Sequence, residues 1–381
     1  MNIEQSSLPK NLMCFSHLRW DFVFQRPQHL MSRFANEINV QVLEEPVFDA
    51  SESSYLTIDK RQAKLTILVP HLVAGLAPHE VVREMKNLLN EFLEKVNLSE
   101  WIFWYYTPMA LQFSNHLSAA LTVFDCMDEL SAFDFAPKEL IELEKSLLDI
   151  ADVVFTGGYS LHEAKKAQHN NIHVFPSSID KEHFSLARTT TSEPSDQADI
   201  KGIKLGFIGV IDERFDARLI KEVSEQRPDW QIVLLGPVVK VTIESLPSGP
   251  NLHYLGQKDY AELPSYLSGW DVAMIPFAIN NSTRFISPTK TPEYLAAGVP
   301  VVSTPIRDVV RPYGDEGLVR IAANANEFIA AAESYITEKN SEVWLEKVDN
   351  FLKDKSWAHT FEQIKMKMIE TYQANEGLLA S

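Results

Sequence analysis

Cysteine is nearly absent from this sequence: Cys14 and Cys126 are the only two in 381 residues, and they lie far apart. They build no disulfide framework and match no zinc or redox spacing. Each sits in an apolar run, NLMCFS or LTVFDCM, where a small buried thiol is expected. Long hydrophobic runs are missing too. No stretch approaches the ~18–20 apolar residues of a membrane span, and the opening MNIEQSSLPK has no apolar signal-peptide core. A reducing, cytoplasmic setting is therefore expected, and the sequons at Asn97, Asn280 and Asn281 read as chance.

Positive charge is in short supply. Lys and Arg number 35 against 52 Asp and Glu, a balance of −17, and neither half of the chain is basic. Such a chain repels nucleic-acid backbones, so no nucleic-acid partner is expected. No G-x-G-x-x-G surrounds Gly206 and Gly209, and no G-x-x-x-x-G-K-[ST] occurs, which argues against dehydrogenases and P-loop enzymes. No two aspartates form a D-x-D, and HExxH and Cys/His metal spacings are missing, so no metal is expected.

What the chain has is alternation. Its length exceeds what one hydrophobic core fills, so two domains are expected. Short apolar runs separated by amphipathic stretches point to parallel sheets with helices on both faces. The first half predicts strands over 11–16, 39–44, 64–69, 101–106, 121–127, 153–156 and 172–176, with the clearest helices over 79–96 and 137–149. The second half restarts the pattern, with strands over 204–210, 231–236, 252–256, 272–277, 299–304 and 318–322. Between them SLARTTTSEPSDQADIKG lacks apolar periodicity and reads as a linker or mobile loop. After Ser356, Trp357, Phe361, Ile364, Met368 and Tyr372 recur at helical spacing as one apolar stripe. That stripe must bury on the second domain alone or across both domains.

Two segments of the second half carry chemistry. In Ser287-Pro288-Thr289-Lys290-Thr-Pro-Glu293 a loop runs into a helix, where unpaired backbone N–H groups and Lys290 suit a phosphate. Glu293, about one turn further, suits the two hydroxyls of a ribose; the alternative is an ordinary connection with a solvated Lys and Glu. In Gly209-Val-Ile-Asp212-Glu-Arg214 a parallel strand ends at the edge where open α/β sheets bind ligands. Arg214 there suits a diphosphate; the alternative is a local ion pair. Together they offer the two cations that a nucleoside diphosphate needs.

The first half offers Ser-His17-Leu-Arg19-Trp20-Asp-Phe-Val-Phe-Gln-Arg26-Pro-Gln-His29 after its first strand. Two His, two Arg and a Trp at one strand end exceed what packing requires, although a solvated loop remains the alternative. Asp128 and Glu129 follow another strand end, as catalytic carboxylates or as helix-capping residues.

The segment from Ser287 through Lys290 and Glu293 to Ala-Ala-Gly-Val-Pro-Val-Val resembles the donor signature of the group 1 glycosyltransferases, retaining bacterial enzymes of GT-B fold. ADVVFTGG, PSSIDKEHF, GWDVAMIP and the tail from Ser356 agree with it, and RPQHL with a strand-end MDE is similar to one bacterial subgroup. The resemblance implies two Rossmann-like doubly wound domains facing a cleft, over 1–185 and 201–355, joined by a linker over 186–200. A closing helix over 356–376 would cross back to the first domain. It implies a transfer from a nucleotide-diphosphate sugar to a polysaccharide or lipid-linked acceptor, without cofactor or metal. The setting would be envelope or exopolysaccharide assembly, with peripheral contact at the inner membrane face.

By position, Gly209, Asp212, Arg214, Ser287, Pro288, Thr289 and Lys290 would hold the diphosphate end of the donor. Glu293 would take the ribose, and Tyr254, Leu255 and Gly256 would flank the base. Arg19, Trp20 and Arg26 would stand on the acceptor side. Were the reaction inverting, Asp128, Glu129 or His17 would be the base; were it retaining, the donor phosphate would assist. The chain departs from the family at Phe285, where a second glutamate is usual, and at Val210, where an arginine is. A nucleotide-sugar 2-epimerase and a non-catalytic partner subunit share the fold and stand as rivals.

Overall fold

The computed structural model describes residues 8–133, 136–338 and 342–379, so residues 1–7 of the expected first domain lie outside the described residues. The first sheet is built from β1 (Asn11–Phe15), β2 (Asn39–Leu43), β3 (Val47–Ala50), β4 (Tyr55–Gln62), β5 (Leu65–Val73), β6 (Trp101–Tyr105), β7 (Leu121–Cys126), β8 (Val153–Thr156) and β9 (Ile172–Val174). Their spatial order is β3-β5-β2-β1-β6-β7-β8-β9, parallel throughout, with β4 antiparallel on β5. The second sheet comprises β10 (Ile203–Ile208), β11 (Trp230–Leu235), β12 (Leu252–Gly256), β13 (Val272–Ile275), β14 (Val301–Ser303) and β15 (Val319–Ile321). Its order is β12-β11-β10-β13-β14-β15, all parallel.

Central strands such as β6 (WIFWY) and β13 (VAMI) are apolar at every position because helices cover both sheet faces. Each sheet reverses direction beside its first strand, between β1 and β6 and between β10 and β13. Ligands of open α/β sheets gather outside the carboxyl ends at such a reversal.

Two strands escaped the sequence reading. β3 and β4 each pair with β5, and β4 (YLTIDKRQ) is largely exposed, so burial never imposed an apolar pattern on it. The expected linker is not mobile but fastened to the second domain. Gln197 is buried, donates to the Tyr266 carbonyl and accepts from the Trp270 indole, while Glu193 pairs with Lys204.

The tail stripe has a definite seat. Helix Trp357–Leu379 buries Trp357, Phe361, Ile364 and Met368 among Leu12, Leu30, Phe34, Trp104 and Phe155 of the first domain. Burial on the second domain alone is thereby excluded. Helix Glu342–Leu352, just before it, still packs Val348 and Leu352 into the second domain, so the chain crosses between the two. No described helix is long and apolar enough to cross a membrane.

Candidate active site

The carboxyl edges of the two sheets meet across a cleft of about 640 Å³. The first domain lines it with His17 after β1, Thr107 after β6 and Asp128 after β7; the second brings Val210, Asp212 and Arg214 after β10. A neighbouring cavity of about 300 Å³ lies at the ends of β10 and β11, walled by Gly209, Gly236, Gln257, Tyr260 and Lys290. Its opposite wall is the first-domain loop from Trp20 to Phe24, and Gln257 Nε2 donates to the Phe22 carbonyl at 2.6 Å. Phe22, Val23 and Val210 line both cavities, which therefore adjoin. One glycine makes this packing feasible. Gly236 has φ +139°, and a Cβ there would sit 1.9 Å from the Gly209 carbonyl oxygen.

The two cations expected at the site are each held by a carboxylate of their own segment. Lys290 Nζ lies 2.5 Å from Glu293 Oε2, and Arg214 grips Asp212 through Nε and Nη2 at 2.9 and 2.6 Å. Glu293 is buried, only 6% exposed, which raises its carboxyl pKa against the pull of Lys290. The Arg214 guanidinium also stands over the Phe133 ring of the first domain, 5.4 Å from its centroid.

Across the cleft the titratable groups are differently placed. Burial pushes Asp128 up to about 6; Arg214 opposes that shift across the cleft and Asp212 adds to it. Burial pushes His17 down to about 4, and its Nδ1 is buried without a hydrogen-bond partner among the described residues. Near neutrality Asp128 is ionised and His17 uncharged, so each can accept a proton.

Several expected site residues are placed elsewhere. Glu129 turns away from the cleft: it pairs with the buried Lys165 at 2.8 Å and accepts from Ser131 Oγ. Arg26 is a buried pillar at the start of helix Arg26–Glu37, donating twice to Asp125 at 2.8 Å and once to the Phe175 carbonyl, rather than a cation facing an acceptor. Trp20 walls the donor-side cavity, whereas Arg19 lines the cleft and binds Glu44 at 3.0 Å. Ser287 is separated from Lys290 and lines a third cavity on the hinge side with Ser178 and His359. Pro288 and Thr289 form the turn into helix Lys290–Ala296. Tyr254 donates its hydroxyl to the Pro247 carbonyl and Leu255 packs into the domain core, so the cavity wall begins beyond Gly256, at Gln257.

The sequence reading missed Phe22, Val23, Glu45, Phe133, Lys240 and Tyr260. One signal was present: Phe22-Val23-Phe24 is an apolar run inside a loop, where neither strand nor helix requires it. Phe285, in place of the family's glutamate, packs against the first-domain core and so ties the donor loop across the cleft.

With this geometry in view, residues 203–338 match the family model described as Glycosyl transferases group 1. A Bacillus subtilis (strain 168) protein, TuaH, named as a candidate glycosyltransferase of teichuronic acid biosynthesis, is 29% identical over 280 residues, 68% of this chain and 70% of its own. Sucrose-phosphate synthase from Thermosynechococcus elongatus superposes with a TM-score of 0.66 at 12% identity, covering 97% of this chain and 98% of its own. Anabaena Alr3699/HepE in complex with UDP and glucose gives 0.64 at 14% identity, over 93% and 98%. At these identities the two structures speak for the two-domain GT-B fold alone.

Proposed function

We propose that this chain, a member of the group 1 glycosyltransferases, moves a sugar from a nucleotide-diphosphate donor to a glycan or lipid-linked acceptor in bacterial envelope or exopolysaccharide assembly. The observation that carries the reading is the adjoining pair of cavities: a cation-bearing one on the second domain opens beside a cleft holding His17 and Asp128. An epimerase of the same fold needs no acceptor, and the cleft of about 640 Å³ argues for one.

The nucleotide lies against Gly209, Gly236 and Gln257, under the loop from Trp20 to Phe24. Lys290 and Arg214 neutralise the diphosphate as it departs with the bonding electrons, which makes a metal ion unnecessary. The acceptor enters from the first-domain side; in an inverting transfer Asp128, with His17 beside the same space, takes the proton of its attacking hydroxyl, and in a retaining one the donor phosphate does. The division into 1–185 with the helix over 356–376, and 201–355, assigns acceptor and donor to different domains. The homologue named for teichuronic acid supports an envelope role, and the Anabaena complex supports a UDP-linked donor.

Thermal unfolding with and without nucleoside diphosphates tests this. A ligand that binds the native state at 100 times its Kd adds about 2.7 kcal/mol of stability. UDP or another nucleoside diphosphate should raise Tm where the bare nucleoside does not. If none of them does, the donor site is wrongly assigned.

A further inference from the structure

A further cavity, of about 290 Å³, opens through the first-domain wall of the cleft, between the ends of β1 and β2 and helix Pro78–Leu93. It shares Glu45, Thr107 and Met109 with the cleft, so the two form one connected space. Past that joint the lining turns apolar, with Phe15, Leu43, Val81, Met85 and Phe113. At the outer rim Phe48 is 51% exposed. The hollow, open to solvent at its rim, has room for about ten water-sized groups. An apolar hollow of that size, entered from a polar cleft, suits a ligand that is polar at one end and apolar at the other.

The joint has charges of its own. Glu44 accepts from the Trp20 amide at 2.6 Å and from Arg19 at 3.0 Å, and Glu45 lines both spaces. Arg19 and Lys240 face these two carboxylates, so the joint has no surplus of positive charge to hold a phosphate, while its carboxylate oxygens can accept from hydroxyl groups.

We propose that the acceptor is an uncharged glycoside carrying an apolar aglycone, its sugar in the cleft beside Asp128 and Glu45 and its alkyl or aryl group in the hollow between Phe15 and Met85. This rests on the transferase reading and names the acceptor class for the same site. The hollow holds the first eight or so carbons; a longer chain leaves past Phe48.

Calorimetry on the full chain, with and without UDP, tests it using methyl, butyl, hexyl and octyl β-glucosides below their micelle concentrations, and octyl phosphate. Affinity should rise about fourfold per added methylene, and octyl phosphate should bind more weakly than octyl glucoside. Val82→Trp, which fills the hollow from its helix wall, and Phe48→Asp at the exposed rim should each remove the chain-length gain while leaving UDP binding unchanged. Equal affinity from methyl to octyl, the same gain in both variants, or tighter binding of octyl phosphate would overturn the proposal. Failure of UDP to bind would instead sink the transferase reading, since the chain-length series reports on the hollow alone.

Discussion

The two sheet edges that form the cleft share a topology and differ in how they treat charge. On the second domain Lys290 is locked to Glu293 and Arg214 to Asp212, each a carboxylate of its own segment. On the first domain burial pushes Asp128 and His17 toward the neutral form, and neither forms an ion pair with another described residue. Such paired groups suit the grip on a diphosphate that we propose for this edge. Groups displaced by burial toward the middle of the scale suit proton transfer. The domains differ also in self-sufficiency, since the first borrows the helix Trp357–Leu379 to close its core.

The largest expected effect comes from removing that helix. Burying Trp357, Phe361, Ile364 and Met368 is worth ~1.5–3 kcal/mol each, a sum comparable to the roughly 5–15 kcal/mol that stabilises a whole domain. Truncation before Ser356 should therefore unfold the first domain and abolish transfer, while the second still binds nucleotide. Near-normal turnover by the truncated chain would break the comparison.

Next is Asp128→Asn, for which a loss of about 10²–10⁴ in kcat is expected of a proton acceptor. In the wild type, kcat should fall as pH drops through about 6, where Asp128 protonates. Stability gives a second readout. A carboxyl whose folded pKa is raised costs stability above that value and returns it as pH falls from about 6 toward 4. His17, lowered to about 4, acts in the opposite sense and loses stability as pH falls from 6.5. The two offset one another, so Asp128→Asn should lose Tm more steeply than wild type between pH 6 and 4. Parallel Tm curves would show that Asp128 does not titrate there.

Lys290→Ala and Arg214→Ala should each lower kcat about 10²-fold while weakening donor binding much less, because their charge acts most on the leaving diphosphate. Turnover within about twofold of wild type in both variants would move the diphosphate elsewhere. The smallest effect expected is none at all: EDTA should leave activity intact, and inhibition reversed by Mn²⁺ or Mg²⁺ would show that these cations do not suffice.

The fold was legible wherever burial imposed a pattern. All six strands of the second sheet stood out, because helices on both faces leave runs such as TrpGlnIleValLeuLeu of β11 without solvent-facing breaks. The short strand β3 and the exposed strand β4 carried no such signature and were missed. Which residues line the two cavities was legible for His17, Asp128, Arg214 and Lys290, whose chemistry and place at a segment end drew notice together. It was illegible where partner choice decides. Glu129 follows Asp128 directly, yet Lys165, 36 positions later, draws it out of the cleft. Arg26 stands amid a polar loop sequence, but Asp125 pulls it into the interior. Such outcomes depend on long-range pairings that local spacing does not encode.

The borrowed helix also bears on how the chain is made. A nascent polypeptide leaves the ribosome from its amino end, and domains ordinarily fold in that order. Here the first domain emerges first but waits for Trp357 and the residues after it, which are synthesised only once the whole second domain has passed. Until then the groove around Leu30, Phe34 and Trp104 stands open to water, a surface that invites chaperones or a wrong partner. The second domain can be complete on the ribosome before the first is closed.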